Sequence, residues 1–329
     1  MLTAREVLEG NYLCIDARTP KEFNDATIPG AINIPIFNDE ERVIIGTMYH
    51  QQGKDDAFKY GYELFNKRIN DFLKRFEPYK TKKLAVFCWR GGMRSRAVVE
   101  LLRNNGYEAE QIEGGHKAYR KYVLEKFKSY LLNPKLVILY GLTGTGKSEL
   151  LNKFNNAIDL EELAQHRSSL FGDIGLKPRS QKMFDSLFFK RLEELKDEEY
   201  IIVEGESRKI GKVEIPLFFY KAMNNGLKIM IETSNKKRIK RIVDTYLLVY
   251  PGEIMEKLDV LQKRLGKSNV DELKALMSRK DYDAVAKILL ERYYDPLYKY
   301  SLDKLDYRLK CSYDNAEMKL KELISMPTE

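Results

Sequence analysis

The chain has 329 residues, 43% hydrophobic and 32% charged, which is enough apolar material for packed cores and, at about 150 residues per domain, for two domains. A net charge of +8 favours an anionic partner, and because the excess divides evenly between residues 1–130 and the rest, it is not a basic tail. Three scattered cysteines, Cys14, Cys88 and Cys311, exclude a disulfide framework or a zinc site; with no apolar signal segment and no run of about 18 apolar residues, they lead us to expect a reducing, cytoplasmic setting.

Residues 12–16 predict a short buried strand ending in a turn at Ala17 to Pro20. The prolines and glycine of 28–35 exclude a helix there and leave an extended segment. Apolar side chains at helical spacing (Phe58, Tyr62, Phe65, Ile69, Phe72, Phe76) predict one long amphipathic helix over 56–77. Residues 83–87 read as a buried strand, 95–104 as a helix closed by Asn105 and Gly106, and 111–115 as another strand with a glycine turn. Strands alternating with helices predict a parallel α/β sheet. After a join near 130–134, residues 136–140 form a strand, 147–154 a helix, and 200–204 and 228–232 further strands. From Glu253 onward glycine is rare and the apolar spacing helical, so the expected organisation is 1–130, 131–252, and an all-helical extension over 253–329.

Two loops carry chemistry. Cys88 follows a strand and precedes a helix, with Gly91 and Gly92 between and Arg90 and Arg94 close by. Backbone amides, a helix N-terminus and two guanidinium groups would stabilise an anion built on the sulfur. Rhodaneses use such a loop to carry sulfur or selenium. Related phosphatases have a histidine before the cysteine, where Phe87 stands here, but the spacing from Cys88 to Arg94 is long for a sulfur carrier and leaves both chemistries open. The second loop, Gly141-Leu142-Thr143-Gly144-Thr145-Gly146-Lys147-Ser148, is a P-loop between a predicted strand and a predicted helix. Its amides would hold a diphosphate, Lys147 would reach the oxygens, and Ser148 is placed to ligate Mg²⁺. Glu204, at a strand end, is a candidate metal-side carboxylate or a solvated acid. The run 236–241, with Lys237, Arg238 and Arg241, reads as an arginine lid, an RNA contact or an exposed basic face.

Several motifs in order are more specific than either loop. They are Asp16-Ala17-Arg18-Thr19-Pro20, Ile28-Pro29-Gly30-Ala31, Glu41-Arg42-Val43-Ile44-Ile45-Gly46-Thr47, the Cys88 loop and the P-loop; then Leu163-Ala164-Gln165-His166-Arg167-Ser168-Ser169, Val203-Glu204-Gly205-Glu206-Ser207-Arg208 and Tyr293-Tyr294-Asp295-Pro296. In these the chain resembles the bacterial tRNA 2-selenouridine synthases, a rhodanese domain fused to a P-loop domain, with Ser168 where glycine is expected. The resemblance implies a transferase that replaces the sulfur of 2-thiouridine at the tRNA wobble position with selenium. It implies geranyl diphosphate and selenophosphate as co-substrates, an S-geranyl intermediate, and tRNA bound through its anticodon region. Cys88 would then take selenium as a perselenide. Trp89 would stack on the uridine or pack beside the loop, and His166, Arg167, Glu206, Ser207 and Arg208 would line the substrate site. Two rival readings are a P-loop kinase fused to a phosphatase-like thiol domain, and a non-catalytic RNA-binding module.

Overall fold

A computed structural model describes residues 1–325 of the chain. They divide into two compact units: Met1–Tyr130 with Ser180–Lys190, and residues 131–179 with those from 191 onward.

The first unit is built on four parallel strands, β1 (Leu13–Asp16), β2 (Ile32–Asn33), β3 (Leu84–Phe87) and β4 (Ala109–Gln111), in the order β2-β1-β3-β4. Strand β3 is apolar at every position and buried throughout, as an inner strand covered on both faces must be. Its core gathers Ile15, Val86, Phe72, Phe76, Val98 and Leu102. The single helix expected over 56–77 is instead two, Lys54–Asn66 and Ile69–Lys74, followed by a 3₁₀ turn at Glu77–Tyr79. At the break, Arg68 pairs with Glu41 at 2.6 Å and donates to the Ile36 carbonyl at 2.5 Å. Folding there still brings Phe65 against Phe72 and Phe72 against Phe76, whereas Phe58 and Tyr62 stack on each other at the surface. A further helix, Asp39–Gln51, begins with a capping box between Asn38 and Glu41.

The second unit has five parallel strands, β5 (Lys135–Tyr140), β6 (Ala157–Ile158), β7 (Tyr200–Glu204), β10 (Leu227–Glu232) and β11 (Leu309–Ser312), in the order β11-β10-β5-β7-β6. An antiparallel pair, β8 (Lys209–Ile210) and β9 (Val213–Glu214), follows β7. Central β5 feeds the P-loop at its carboxyl end, between β7 and β10, where open α/β sheets bind ligands. The helix behind that loop, Lys147–Leu151, is shorter than expected.

The extension beyond Glu253 is not all-helical. Its helices bury Leu258, Leu273, Val285 and Leu289 in a core of their own. Strand β11 then pairs in parallel with β10, Cys311 opposite Ile231, and the helix Tyr313–Ser325 packs Ala316 and Leu320 into the core of the sheet. A four-residue edge strand is too short for its alternation to stand out against helical spacing. Among the described residues no helix is long and apolar enough to cross a membrane.

Candidate active sites: a thiol loop and a phosphate loop

The thiol of Cys88 lies at the carboxyl end of β3, and the residue is 3% exposed. Its Sγ accepts hydrogen bonds from the Gly92 amide and the Ser95 hydroxyl, both at 3.2 Å. Ser95 is itself held by Gln111, whose Nε2 donates to the Ser95 Oγ at 2.8 Å and to the carbonyls of Gly91 and Gly92. The helix Met93–Asn104 starts directly at this loop and adds its positive end.

A second loop, following β4, braces the first. The amides of His116 and Lys117 donate to the carbonyls of Cys88 and Trp89 at 2.9 Å. Gly115, at φ +56°, leaves no room for a side chain: a Cβ there would lie 2.2 Å from the Cys88 carbonyl oxygen. Beneath the loop His116 is fully buried, with Phe87, Trp89 and Tyr119 around its ring and Arg18 Nη1 at 3.3 Å from its Nδ1. Burial, then the charges of Arg18, Arg120 and Lys182, push its pKa down to about 3, so the imidazole is neutral at working pH.

The two arginines expected at the sulfur are placed differently. Arg94 forms a two-pronged pair with Glu22, the shorter contact 2.7 Å, and so turns its charge to the helix Pro20–Asp25. Arg90 is exposed on the loop. Trp89 is partly buried, with the Lys182 ammonium 5.9 Å from its ring centre, which favours packing over a free stacking platform. Ser95, Gln111 and Gly115 were missed as site residues. Only Ser95, one helical turn beyond Gly91 and Gly92, carried a local signal; the others arrive from another strand.

In the P-loop, Gly144 and Gly146 have φ of +79° and +95°, and both face a crowded side. A Cβ on Gly144 would press on the Arg238 backbone, and one on Gly146 would strike Tyr313 and Arg241. Arg238 Nε donates to the Thr143 carbonyl at 2.8 Å, and Arg241 Nη1 donates to the carbonyls of Gly144 and Thr145 at 3.2 Å. Thr145 Oγ1 donates to the Leu142 carbonyl. With its carbonyls tied back in this way, the loop can offer amides to an anion. Lys147 Nζ lies 2.9 Å from the Gly141 carbonyl, and Ser148 sits in the first turn of the helix behind.

Arg238 therefore is no RNA contact. It is 2% exposed, and its guanidinium is fully engaged by Thr143, Asn235 and Asp295. Arg241 pairs with Glu149 and lies 4.1 Å from the centre of the Tyr313 ring; Lys237, which is exposed, pairs with Asp314 at 2.7 Å. Arg238 and Arg241 thus buttress the P-loop, while Lys236, Lys237 and Lys240 of the run are exposed.

A cavity of about 750 Å³ opens beside the P-loop. Its lining includes polar residues: 143–148 of the loop, Arg167, Ser168 and Ser207, and the acidic Asp159, Glu161, Glu204 and Glu206. It also includes apolar residues, Phe171, Leu247, Ile254, Leu289, Leu297 and Leu302, the first four of which belong to one buried apolar cluster. Glu204 is 1% exposed, and its Oε1 accepts the Glu161 amide at 3.3 Å. Burial, then the charge of Glu161, raises the pKa of Glu204 well above the carboxylate range; burial, then the charge of Glu206, raises that of Glu161 to about 8. Burial raises Glu206 too, against the pull of Ser168 and Lys147. No group of three or more acidic, histidine or cysteine side chains among the described residues forms a metal cage.

Arg167 reaches the cavity, its guanidinium 4.8 Å from the centre of the Tyr246 ring and bonded to the Ile174 carbonyl. His166 does not line it. Its ring is wedged over Gly172 and Gly211, burial lowers its pKa, and its Nδ1 has no partner among the described residues. Arg208 points away as well, paired with Glu214 at 2.8 Å.

A sheet domain carrying a thiol loop, followed by a P-loop domain, defines a two-domain protein of the rhodanese and P-loop classes. The rhodanese-like domain model matches residues 3–122, and the model of the tRNA 2-selenouridine synthase AAA domain matches residues 134–325. The tRNA 2-selenouridine synthase of Shewanella piezotolerans is 30% identical over 95% of each chain, and that of Pseudomonas syringae pv. tomato is 31% identical over 90% of each. A solved structure, the N-terminal domain of a putative ATP/GTP binding protein from Clostridium difficile 630, is 33% identical across 38% of this chain and 98% of its own, with a TM-score of 0.37. The chain belongs to the tRNA 2-selenouridine synthase family.

Proposed function

We propose that this protein converts 2-thiouridine in tRNA to 2-selenouridine in two steps, S-geranylation from geranyl diphosphate and then selenation from selenophosphate. The observation that carries the reading is one cavity lined both by a P-loop able to hold a diphosphate and by apolar side chains such as Leu247, Ile254 and Leu289, the pairing that a prenyl diphosphate requires. Lys147 and the loop amides would stabilise the departing diphosphate. A divalent cation would sit on Ser148 and the diphosphate oxygens, as Mg²⁺ usually shares its ligands with phosphate. Geranylation makes the sulfur on the pyrimidine a better leaving group. Selenide-level selenium from selenophosphate would then displace the geranyl thiol at C2, water taking the phosphoryl group as phosphate, beside Cys88, whose sulfur is held by the Gly92 amide and the Ser95 hydroxyl. A tRNA substrate and three free cysteines fit the cytoplasm.

The test is mass analysis of nucleosides from 2-thiouridine tRNA incubated with the protein, geranyl diphosphate and selenophosphate. S-geranyl-2-thiouridine followed by 2-selenouridine is the expected result. Rapid ATP turnover without tRNA, and no modified nucleoside, would point to a kinase instead.

A further inference from the structure

A tRNA base arrives on a strand of phosphates, and those phosphates need cations that the protein has not already used. Three exposed cations meet that condition around the thiol loop. Arg90 belongs to the loop itself. Arg96 lies near the start of the helix Met93–Asn104, its amide donating to the Gly92 carbonyl at 3.1 Å. Lys117 lies in the first turn of the helix Gly115–Lys128, its amide donating to the Trp89 carbonyl at 2.9 Å. Both backbones are thus bonded directly to the loop that carries Cys88, and the three side chains set out from its rim. We propose that Arg90, Arg96 and Lys117 form the surface on which the anticodon loop of tRNA docks through its phosphates. This rests on reading tRNA as the substrate and Cys88 as the centre its base must reach.

Ion pairing separates these three from the other cations beside the loop. Arg94 is held by Glu22 at 2.7 Å, Lys182 by Asp25 at 3.0 Å and Arg120 by Asp185 at 3.0 Å. Arg90, Arg96 and Lys117 have no ion pair and no side-chain hydrogen bond among the described residues. The same pairs neutralise the acids. In the segments that frame the loop, 20–25, 109–116 and 180–190, Glu113 is the acid left without a cation among the described residues, so positive charge stays in excess.

The placement of that charge selects the partner. A small oxyanion would need cations at the sulfur, yet the hydrogen bonds to Cys88 Sγ come from an amide and a hydroxyl. Cations at the rim around a neutral centre suit a polynucleotide, whose charge lies on its backbone and whose reacting base is neutral. Met93, 44% exposed between Arg90 and Arg96, offers an apolar contact to an unstacked base, the state in which single-stranded loops are read.

The experiment measures binding of fluorescently labelled 2-thiouridine tRNA to the full chain over about 50 to 300 mM salt. One variant combines Arg90→Ala, Arg96→Ala and Lys117→Ala. A control with the same loss of charge combines Lys80→Ala, Lys82→Ala and Lys83→Ala, exposed residues at the amino end of β3 and so at the far end of that strand from the loop. At about 0.7–0.9 units of log–log slope per phosphate contact, the rim variant should flatten the salt dependence by about two to three units, and the control by less than about one. Equal flattening by both overturns the proposal, because the attraction is then diffuse, and no flattening by the rim variant overturns it as well. Wild-type protein that does not bind this tRNA overturns the reading of the substrate together with the proposal, a result seen before any variant is compared. Should the rim variant fail to fold, as judged by circular dichroism, Arg90→Gln alone decides: a slope flatter by about 0.7–0.9 units supports the proposal, and an unchanged one overturns it.

Discussion

The thiol loop after β3 and the P-loop after β5 each follow a buried parallel strand and lead into a helix, yet they are equipped to hold negative charge by different means. Around Cys88 the close groups are neutral dipoles: an amide, a hydroxyl and the carboxamide that orients it. The nearby charge of Arg94 is spent on Glu22. Around the P-loop the arginines also turn aside, to the loop's own carbonyls, but Lys147 remains beside Glu161, Glu204 and Glu206, whose pKa values burial raises. In each place one arginine that the sequence sets beside the ligand, Arg94 or Arg238, is tied instead to a carboxylate. The difference lies in what is left: dipoles for a small monoanion on sulfur, an ammonium for a diphosphate.

The sharpest way to break this comparison is to remove each centre. Cys88→Ala should abolish 2-selenouridine while S-geranyl-2-thiouridine still accumulates, read by nucleoside mass analysis; loss of both products from folded protein would mean the two loops do not divide the work. Lys147→Ala should slow geranylation by at least about 10²-fold, because no neutral dipole replaces the ammonium at the departing diphosphate. Unchanged geranylation, with circular dichroism showing an intact fold, would assign the P-loop to another ligand.

Smaller effects sharpen it. Ser95→Ala removes one dipole from the sulfur anion, and a hydrogen bond to a charged group is worth roughly 1.5–3 kcal/mol, so selenium transfer should fall by about ten- to a hundredfold. Buried His116 gives the thiol unit a pH signature. Its folded pKa lies below the unfolded value, so the unfolded chain binds the extra proton between about pH 6.5 and 3, and stability falls as pH drops through that window, by at most about 1.4 kcal/mol per unit. His116→Phe should lessen the drop in melting temperature between about pH 7 and 5. Least of all, Lys237→Ala should change the salt dependence of tRNA binding by no more than about one unit of log–log slope, because one phosphate contact is the most it can supply.

Much of the fold was legible in the sequence for a simple reason. Inner strands such as β3, β5 and β7 are continuous apolar runs, and the glycines of both loops sit where the backbone turns sharply, so local pattern and local conformation agree. Legibility failed where a side chain's partner lies far along the chain. The aromatic spacing over 56–77 fits one helix, and the break comes from Arg68 meeting Glu41 and the Ile36 carbonyl. Strand β11 is a strand because β10 offers it an edge.

The same division holds for chemistry. The sequence by itself determined that a thiol and a phosphate cradle stand at strand ends, because the turns that form them are encoded within a few residues. The tertiary structure decided which neighbours face them. It turned Arg94 and Arg238 away onto Glu22 and Asp295, brought Gln111 to Ser95, and gathered Glu161, Glu204 and Glu206 around one cavity. Charge and hydrogen bonding act over a few ångströms in space, and only the packed fold determines which residues come that close.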